Sequence, residues 1–373
     1  MIYLRKHILK SIFLNEEKRE KMNVLILTAR FGMGHISAAE AIKEEIISYN
    51  KNDKVYIVDV IDFLFPSFSK TIYSGFNNLT SKFASLYNLL NKTAGNHNSS
   101  VPLKKVLVKK VDDLLDRYET DFIISTIPIA SKYISMYKET KKSNIPLYTY
   151  ITDITAHNEW LGKETDMYFV GSKETKDELI QKGVEEDKIQ ICGIPVRQAF
   201  KNNKAVEQKH KKEILIMGGG LGLIPGIEDI LYRLNKNENI NLTLICGKNR
   251  ELYQKIKTKF PSVNVVGYTN KVHEYMMRSD LIITKSGGIT TFEAIHTSCP
   301  LYIIEPFLMQ EVGNARFIEK NNIGKIKWSK KSDLADEVIE LIKDEHELNK
   351  MKENMDRIRE EINNDYLLSV LSA

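Results

Sequence analysis

Residues 281–294 constrain the fold of this chain more than any other segment, and their sequence is LIITKSGGITTFEA. Four apolar residues predict a short buried strand, Gly287 and Gly288 predict a turn, and the remainder predicts a helix that carries Glu293. Such a strand-turn-helix directs backbone N–H groups and a helix N-terminus at the space above it, and proteins hold phosphate in this way. Glu293 would lie about two turns into the helix, within reach of a sugar hydroxyl attached to that phosphate. A plain βα turn with a solvated acid explains the same residues, so this segment alone favours neither interpretation.

Similar apolar runs alternate with helical segments along the chain, which indicates an α/β fold with parallel sheets. With 373 residues, 42% of them hydrophobic, the chain is long enough for two domains. The predicted strands cover residues 24–28, 55–60, 122–126, 147–152, 167–170, 189–193, 214–217, 242–246, 263–266, 281–284 and 301–304. The predicted divisions are an N-terminal extension (1–22), a first domain (23–200), a polar linker (201–212), a second domain (213–345) and a C-terminal helix (346–373).

Charge and cysteine usage restrict the class of protein further. The formal net charge of +5 does not indicate nucleic-acid binding, but it is compatible with an anionic membrane surface. Cys192, Cys246 and Cys299 lack disulfide or metal-ligand spacing, so we expect reduced core thiols in a cytosolic protein. No apolar run in the sequence is long enough to span a bilayer, and the first residues lack a signal-peptide cleavage site.

Residues 1–21 allow two interpretations. Leu4, Ile8 and Ile12 have helical spacing among basic residues, which is typical of an amphipathic helix that lies on a membrane. Alternatively the segment is a frayed, non-native extension, because the first predicted strand follows Met22, where translation could start. The second interpretation is slightly favoured.

A second glycine turn, ARFGMGH, follows the first predicted strand and ends at His35. Gly32 and Gly34 permit close backbone approach, and we expect this turn to face the cleft. Ser37 and Glu40 have the spacing of a capping box, which predicts a helix start. His35 would lie at the helix N-terminus, where the dipole lowers an imidazole pKa and favours the neutral base. A capping or packing histidine is the alternative.

Residues 62–115 contain many apolar and aromatic residues without a clear period. The aromatic residues are Phe63, Phe65, Phe68, Tyr73, Phe76, Phe83 and Tyr87. Four lysines follow on what should be one helix, namely Lys104, Lys105, Lys109 and Lys110. Core helices with a solvated face explain this pattern, and so does a surface that dips into anionic lipid.

Polar residues follow the predicted strand 147–152 in the sequence DITAHNEW. Ligands bind at strand ends in open α/β sheets, so Asp153 and His157 are candidate site residues. They could orient a hydroxyl group or each other, or they could form a structural hydrogen-bonded pair.

In the second domain, GGGLG at residues 218–222 has more glycines than a tight turn needs, which predicts a loop facing the cleft beside an anion. It lacks the Lys-Ser/Thr pair of a Walker loop.

Two segments of the second domain together resemble the donor-sugar site of the two-domain (GT-B) glycosyltransferases. Residues 286–294 match S-G-G-x-T-x-x-E-A, and residues 306–315 match P-x-x-x-Q-E-x-x-N-A. The chain looks most like the family of processive diacylglycerol glucosyltransferases, plant-type monogalactosyldiacylglycerol synthases and the lipid-linked glycosyltransferase of peptidoglycan synthesis. The resemblance spans roughly residues 23–342. It implies two Rossmann-like domains whose parallel sheets face a central cleft.

In that family the first segment holds the nucleotide ribose and diphosphate, and the second holds the hexose. The donor-binding residues implied here are Gly34, Gly219, Gly220, Tyr268, Thr269, Ser286, Gly287, Gly288, Thr290, Glu293, Gln310, Glu311 and Asn314. The resemblance implies that Tyr268 packs on uracil and that backbone groups near Thr269 read the edge of the base.

The first domain carries further family patterns. Residues 32–39 match G-x-G-H-x-x-A-A, in which the histidine is the proposed base, so His35 is the implied catalytic residue. Residues 152–160 match T-D-x-x-x-H-x-x-W, which implies acceptor-binding or orienting roles for Asp153, His157 and Trp160. Residues 193–197, GIPVR, resemble the segment that closes the domain. The family places its lipid-acceptor groove and membrane contact within residues 62–115.

These resemblances imply an inverting transferase that moves a hexose from a UDP-sugar to diacylglycerol and gives a mono- or diglycosyl lipid. No Asp-x-Asp pair occurs in the sequence, so we expect no essential metal ligand and no cofactor, with UDP-hexose as a substrate. The expected partners are UDP-hexose, diacylglycerol and an anionic membrane surface. The expected location is the cytoplasmic, inner face of the cell membrane, where the protein would be peripheral.

Two alternatives stay open: a transferase for another lipid-linked acceptor of the peptidoglycan-precursor type, and a UDP-sugar 2-epimerase, which shares the fold and needs no acceptor. The G-x-G-H and T-D-x-x-x-H-x-x-W patterns favour diacylglycerol, and the aromatic and lysine-rich region argues against the epimerase. The choice between glucose and galactose depends on one hydroxyl orientation, which side chains around Gln310 and Glu311 would read.

Overall fold

The alternating apolar runs form two sheets of six parallel strands each in the computed structural model. The structure describes residues 21–31, 33–82, 104–202, 211–220, 222, 224–306, 308–328, 333–363 and 366–371, with the side chains of 76–82 set aside. The predictions for residues 1–20, for Phe83 and Tyr87 and for 203–210 of the linker lie outside these residues. The predicted α/β class with parallel sheets is confirmed.

The first sheet belongs to the N-terminal half of the chain. Its strands are β1 Asn23–Thr28, β2 Lys54–Asp59, β3 Phe122–Ser125, β4 Leu147–Tyr150, β5 Met167–Val170 and β6 Ile189–Ile191, in the order β2-β1-β3-β4-β5-β6. Its helices are α1 Gly34–Tyr49, α2 Val60–Leu64, α3 Ser69–Lys82, α4 Lys104–Tyr118, α5 Pro128–Lys141, α6 Lys173–Gln181 and α7 Gln198–Lys201.

Helices cover both faces of this sheet. Side chains alternate between the two faces of a strand. Val24 and Ile26 of β1 pack with Ile42 of α1, whereas Leu25 and Leu27 pack with residues of α4 and α5 on the other face. Because both faces are covered, β1 is apolar at successive positions, as central strands of parallel sheets are.

The second sheet repeats this architecture. Its strands are β7 Lys212–Met217, β8 Ile240–Ile245, β9 Asn264–Val266, β10 Leu281–Thr284, β11 Leu301–Ile303 and β12 Gly324–Ile326, in the order β12-β11-β10-β7-β8-β9. The helices after β7 are α8 Ile227–Leu234, α9 Arg250–Lys259, α10 Val272–Arg278, α11 Gly288–Thr297, α12 Met309–Lys320, α13 Leu334–Lys343, α14 Glu345–Glu361 and α15 Tyr366–Leu371.

The C-terminal segment contains two helices, where the sequence suggested one. Helix α14 packs on the second domain through Leu348 and Met351. Helix α15 packs on the first domain, where Leu367 and Leu371 join the core cluster that contains Val24 and Ile26 of β1. The chain therefore returns to the first sheet after it has completed the second.

One predicted helix start is wrong. Helix α1 begins at Gly34, ahead of the predicted cap at Ser37, and its N-cap residue Met33 makes no side-chain cap bond. Helix α13 begins at Leu334, after Asp333, whose side chain accepts two backbone N–H bonds. A carboxylate at this position satisfies helix donors that otherwise have no partner within the helix.

The lysine-rich helix α4 forms as predicted, but its lysines differ in their surroundings. Lys104, Lys105 and Lys109 are exposed, whereas Lys110 is half-buried and its Nζ donates to the carbonyl oxygen of Leu64 at the end of α2. Exposed apolar residues accompany the three free lysines: Val106 is 50% exposed and Phe68 is 66% exposed. No helix in the described part of the chain has the length and apolar character that crossing a bilayer requires.

The cysteines are free thiols, as predicted. Cys246 and Cys299 are buried, and Cys192 is half-buried. Burial raises the pKa of the Cys246 thiol to about 11, so this group stays protonated at neutral pH.

Candidate active site

The strands of the two sheets end at a common cleft with a volume of about 430 Å³. Thr152 lines it just past β4 of the first sheet, and Met217, Ile245 and Ser286 line it at the ends of β7, β8 and β10 of the second. Parallel sheets bind ligands at the carboxyl ends of their strands, so the two domains place their binding edges against each other.

Almost all the predicted site residues line this cleft. From the first domain these are Gly34, His35 and Asp153. From the second domain they are Gly219, Gly220, Tyr268, Thr269, Ser286, Gly287, Gly288, Thr290, Glu293, Gln310, Glu311 and Asn314. His157 and Trp160 are not among the lining residues of the described cavity.

His35 is the second residue of α1, and its ring contacts Thr152, which follows β4 of the same sheet. Its Nδ1 lies 2.9 Å from Thr152 Oγ1, and its carbonyl oxygen accepts a bond of 3.1 Å from Thr126 Oγ1. Burial lowers the pKa of His35, and the Asp153 carboxylate opposes that shift. The direction agrees with our expectation, but its main cause is burial, where we had expected the helix dipole. The lowered pKa favours the neutral form of the ring.

Trp160 contacts two of the residues that line the cleft, His35 and Asp153. It is fully buried, its ring centroid lies 6.3 Å from that of His35, and its Nε1 donates to Asp153 Oδ2 at 3.4 Å. His157 precedes the short 3-10 helix Asn158–Trp160, and its carbonyl oxygen accepts from the Trp160 N–H at 3.0 Å. Asp153 is thus bonded to Trp160. A pairing of Asp153 with His157 was one of the possibilities that the sequence left open.

The glycine loop after β7 packs backbone against backbone on the loop after β8. Gly222 has a φ of +63°, and a Cβ there would lie 1.9 Å from the carbonyl oxygen of Cys246, so only glycine fits. The Lys248 N–H donates to the Gly220 carbonyl oxygen at 3.0 Å. Met33 of the first domain lies against Gly220, where a Cβ would meet its Cγ at 2.5 Å. The two glycine turns of opposite domains therefore touch across the cleft.

The turn between β10 and α11 is the one predicted to hold a diphosphate. Gly287 is the N-cap residue of α11 and Gly288 is its first residue, so the free backbone N–H groups of the first turn lie at the cleft. Ser286 donates from Oγ to the carbonyl oxygen of Glu311 at 2.7 Å, which ties this turn to α12. The partial positive charge of a helix N-terminus suits an anion at this position.

Glu293 is half-buried in α11. Burial raises the pKa of its carboxyl to about 7, and the nearby Arg197 guanidinium opposes the shift. Arg197 follows β6 of the first domain, lines the cleft and lies with its Cζ 5.4 Å from the Phe200 ring centroid. We did not predict it as a site residue, although its place directly after Val196 at the end of the GIPVR pattern was a usable signal.

The sequence predicts Asn314 as a ligand of the hexose, but in the structure its side chain is bonded to protein. Its side chain is buried, its Oδ1 accepts from the Ile154 N–H at 3.1 Å, and its Nδ2 donates to the Ser286 carbonyl oxygen at 2.8 Å. Both amide atoms are thus bonded to protein.

By contrast Tyr268, expected to stack on a base, is 62% exposed. Other lining residues that the sequence reasoning missed are Phe31, Met33, Ser37, Glu40, Thr152, Gly247 and Asn270.

Two parallel α/β domains that face each other across a cleft form the GT-B fold. One side of the cleft carries a helix N-terminus and a carboxylate, and the other carries the half-buried His35. Residues 35–196 match the model of the monogalactosyldiacylglycerol (MGDG) synthase family, and residues 213–365 match the C-terminal domain of glycosyltransferase family 28. The chain is 30% identical over 338 residues to a processive diacylglycerol beta-glucosyltransferase from Staphylococcus epidermidis, covering 87% of this chain and 85% of the relative. The chain belongs to this family of MGDG synthase-like glycosyltransferases.

Solved structures share the fold at lower identity. The glycotransferase of kitacinnamycin has a TM-score of 0.65 and 10% identity, with 95% of this chain and 99% of that chain covered. A UDP-GlcNAc 2-epimerase from Neisseria meningitidis, bound to UDP-GlcNAc, has a TM-score of 0.58 and 17% identity, with 94% and 99% covered. Since transferases and epimerases both match, these structures show the fold alone.

Proposed function

We propose that the protein transfers a hexose from a UDP-hexose to diacylglycerol, with inversion at the anomeric carbon, in membrane glycolipid synthesis. The observation that carries this proposal is the meeting of His35 from the first domain with the turn 286–288 and Glu293 from the second in one cleft. The name of the Staphylococcus epidermidis relative supports diacylglycerol as the acceptor class.

In this proposal the second domain holds the donor. The glycine turns and the N-terminus of α11 bind the diphosphate, Glu293 accepts hydrogen bonds from the ribose diol, and Gln310 and Glu311 contact the hexose. Tyr268 packs on the uracil. Arg197 extends across from the first domain and adds positive charge beside Glu293.

In the same proposal His35 acts as the general base. Its Nε2 takes the proton of the acceptor hydroxyl while that oxygen attacks the anomeric carbon. The bond from the anomeric carbon to the diphosphate breaks, and the electron pair leaves with UDP. Backbone N–H groups in the first turn of α11, beginning at Gly288, stabilise the charge that develops on the leaving diphosphate. Attack from the face opposite to UDP inverts the configuration in a single displacement.

We further propose that transfer requires no metal ion and that the protein is peripheral on the inner face of the cell membrane. The exposed Lys104, Lys105 and Lys109 of α4, with Val106 and Phe68, support contact with an anionic membrane. A chelator should therefore leave turnover unchanged, and product formation should need a lipid surface.

The decisive experiment offers the purified protein diacylglycerol vesicles with UDP-glucose or UDP-galactose, each with and without EDTA, and identifies the lipid product and its anomeric configuration. A β-linked glycosyldiacylglycerol from one of the donors is the expected result. If no lipid product forms, the same assay is repeated with a lipid-linked peptidoglycan precursor as the acceptor, and a product there would change the proposed acceptor. Epimerised UDP-sugar without acceptor would reject the transferase proposal.

His35→Ala provides the first mutational prediction. Turnover should fall by roughly a hundredfold or more, the usual contribution of a general base, while the affinity for UDP changes little. Glycosyl transfer by mass spectrometry and UDP binding by calorimetry measure the two effects separately. Near-normal turnover in this variant would remove His35 from the mechanism.

A further inference from the structure

Residues 152–155 of the first domain fit closely against the second domain at two glycines. A Cβ on Gly288 would lie 2.4 Å from the carbonyl oxygen of Thr152. A Cβ on Gly313 would lie 2.4 Å from Cγ2 of Thr155. A contact this short has no room for a larger side chain, so both glycines are required for the domains to meet here.

A hydrogen bond fixes the same segment in register. Asn314 is 2% exposed, and its Oδ1 accepts from the Ile154 N–H while its Nδ2 donates to the carbonyl oxygen of Ser286. One amide therefore joins the first domain to the predicted diphosphate turn of the second. Because each polar atom of this amide is bonded to protein and the residue is 2% exposed, its orientation is fixed and little of it is left for a hexose.

The segment also controls the ring of His35. Thr152 is buried, and its hydroxyl is the group at His35 Nδ1. A histidine that accepts a proton at Nε2 must carry its own proton on Nδ1, and a hydroxyl oxygen can accept a hydrogen bond from that N–H. The contact thus fixes the ring orientation, and it can accommodate the Nδ1–H tautomer that a base requires.

We propose that Thr152 and Asn314 are positioning residues, which together make the orientation of His35 depend on the assembled donor site. Asn314 connects the donor turn to residues 152–155, and Thr152 connects these residues to the histidine ring. The base is then correctly oriented when the domains are closed. This inference rests on the proposed role of His35, and it replaces the hexose contact that the family resemblance implies for Asn314.

Thr152→Val and Thr152→Ser form a matched pair for the test. Valine keeps the shape and removes the hydroxyl, so turnover should fall roughly tenfold to a hundredfold while KM for UDP-hexose and the Kd for UDP stay within twofold. Serine keeps the hydroxyl and should restore most of the turnover. Nitrogen-15 NMR of the UDP-bound protein should show His35 protonated on Nδ1 in the wild type and a mixture of tautomers in the valine variant.

Asn314→Ala tests the connection between the domains, with Gln310→Ala as the control. The Asn314 variant should lose turnover and show mixed His35 tautomers. Relative to wild type, its affinity for UDP and its affinity for UDP-hexose should change by the same factor. The Gln310 variant should weaken UDP-hexose and leave UDP unchanged. If the two positioning residues act through one ring, the Thr152→Val/Asn314→Ala double variant should be little slower than the slower single variant.

Wild-type turnover and a pure Nδ1–H tautomer in Thr152→Val would overturn the proposal. Selective loss of UDP-hexose affinity in Asn314→Ala would return that residue to the hexose site and overturn its positioning role. The NMR readout needs only UDP, so it separates the two proposals. A Thr152-dependent tautomer without any lipid product would support the positioning inference and reject the proposed acceptor.

Discussion

The Glu293 carboxyl shows how burial couples donor binding to protons. Burial raises its pKa to about 7, against the effect of Arg197. An ionised carboxylate accepts from both hydroxyls of a ribose diol, whereas a protonated carboxyl gives up part of its acceptor capacity. The donor therefore binds the ionised form, and its affinity should rise with pH until that form predominates.

We expect the Kd for UDP to decrease as the pH rises toward about 7 and then to level off. At pH 8 Glu293→Gln should bind UDP about ten- to a hundredfold more weakly, because a charge-assisted bond is worth about 1.5–3 kcal/mol. At pH 6 the difference should shrink, since the wild-type carboxyl is then largely protonated. Calorimetric titration of both proteins across this range measures it. The glutamine variant also corrects for titration of the UDP phosphates, and a constant ratio at all pH values would contradict the assignment.

The sequence predicts residues whose role depends on the local turn in which they lie. It does not predict residues whose role depends on contacts between the two domains. The glycines at 287 and 288 and the carboxylate of Glu293 are given by one continuous strand-turn-helix. Arg197 and Asn314 act across the domain boundary, and no periodicity along the chain reports which domains meet. His157 precedes a 3-10 helix and is not among the residues that line the described cavity, and its role stays a prediction.

At the scale of elements, the apolar runs predict the positions of most strands. Individual residues beside these runs determine where strands and helices begin and end. The strands Leu281–Thr284 and Met167–Val170 match the predicted bounds. Strand β12 was missed because it has three residues with a lysine in the centre, which is too short for an alternation pattern. Helix α1 starts before Ser37 because the glycine turn continues directly into helix at Gly34.

Helix α4 carries the prediction about the membrane. Lys104, Lys105 and Lys109 are exposed, and replacing all three with glutamate should weaken binding to anionic vesicles, while wild-type binding should fall with salt. Lys110 is left unchanged, because its bond to α2 makes it part of the fold. Vesicle co-sedimentation at two salt concentrations measures the effect.

A triple variant on the second domain controls for net charge, with glutamate at three exposed lysines: Lys257, Lys343 and Lys350. Equal loss of binding in both triple variants would mean that overall charge, and not α4, is responsible. Unchanged binding in the α4 variant would assign its lysines to a solvated face.

At the scale of the whole molecule, the two domains are held together by more than the linker. Helix α15 buries Leu367 and Leu371 in the first-domain core, and Tyr366 lies 6.0 Å from Phe169 of β5 between ring centroids. Lys320 of the second domain pairs with Glu174 of the first at 2.7 Å. These contacts join the two domains through residues that do not line the described cavity.

Leu367→Ala should destabilise the first domain by about 2–5 kcal/mol, as for other buried leucines. The chain has two tryptophans, Trp160 in the first domain and Trp328 in the second, so a Trp328→Phe background lets fluorescence follow the first domain alone. In Leu367→Ala the urea unfolding transition reported by Trp160 should shift to lower urea concentration. The control Ser369→Ala, on the exposed face of α15, should change the free energy of unfolding by no more than about 0.5 kcal/mol. An unchanged unfolding transition of the Trp160 signal in Leu367→Ala would contradict the packing of α15 on the first sheet.

The return of α15 to the first sheet also sets an order for biosynthesis. The last strand of the first sheet ends at Ile191, but the leucines that complete its core come from Tyr366–Leu371. A ribosome adds about 5–20 residues per second, so the nascent first domain waits roughly 10–35 s for its final helix. During that interval the part of its apolar face that α15 later covers is open to chaperones. A nonsense mutation after α14 would therefore damage the N-terminal domain, although the truncation lies at the other end of the gene.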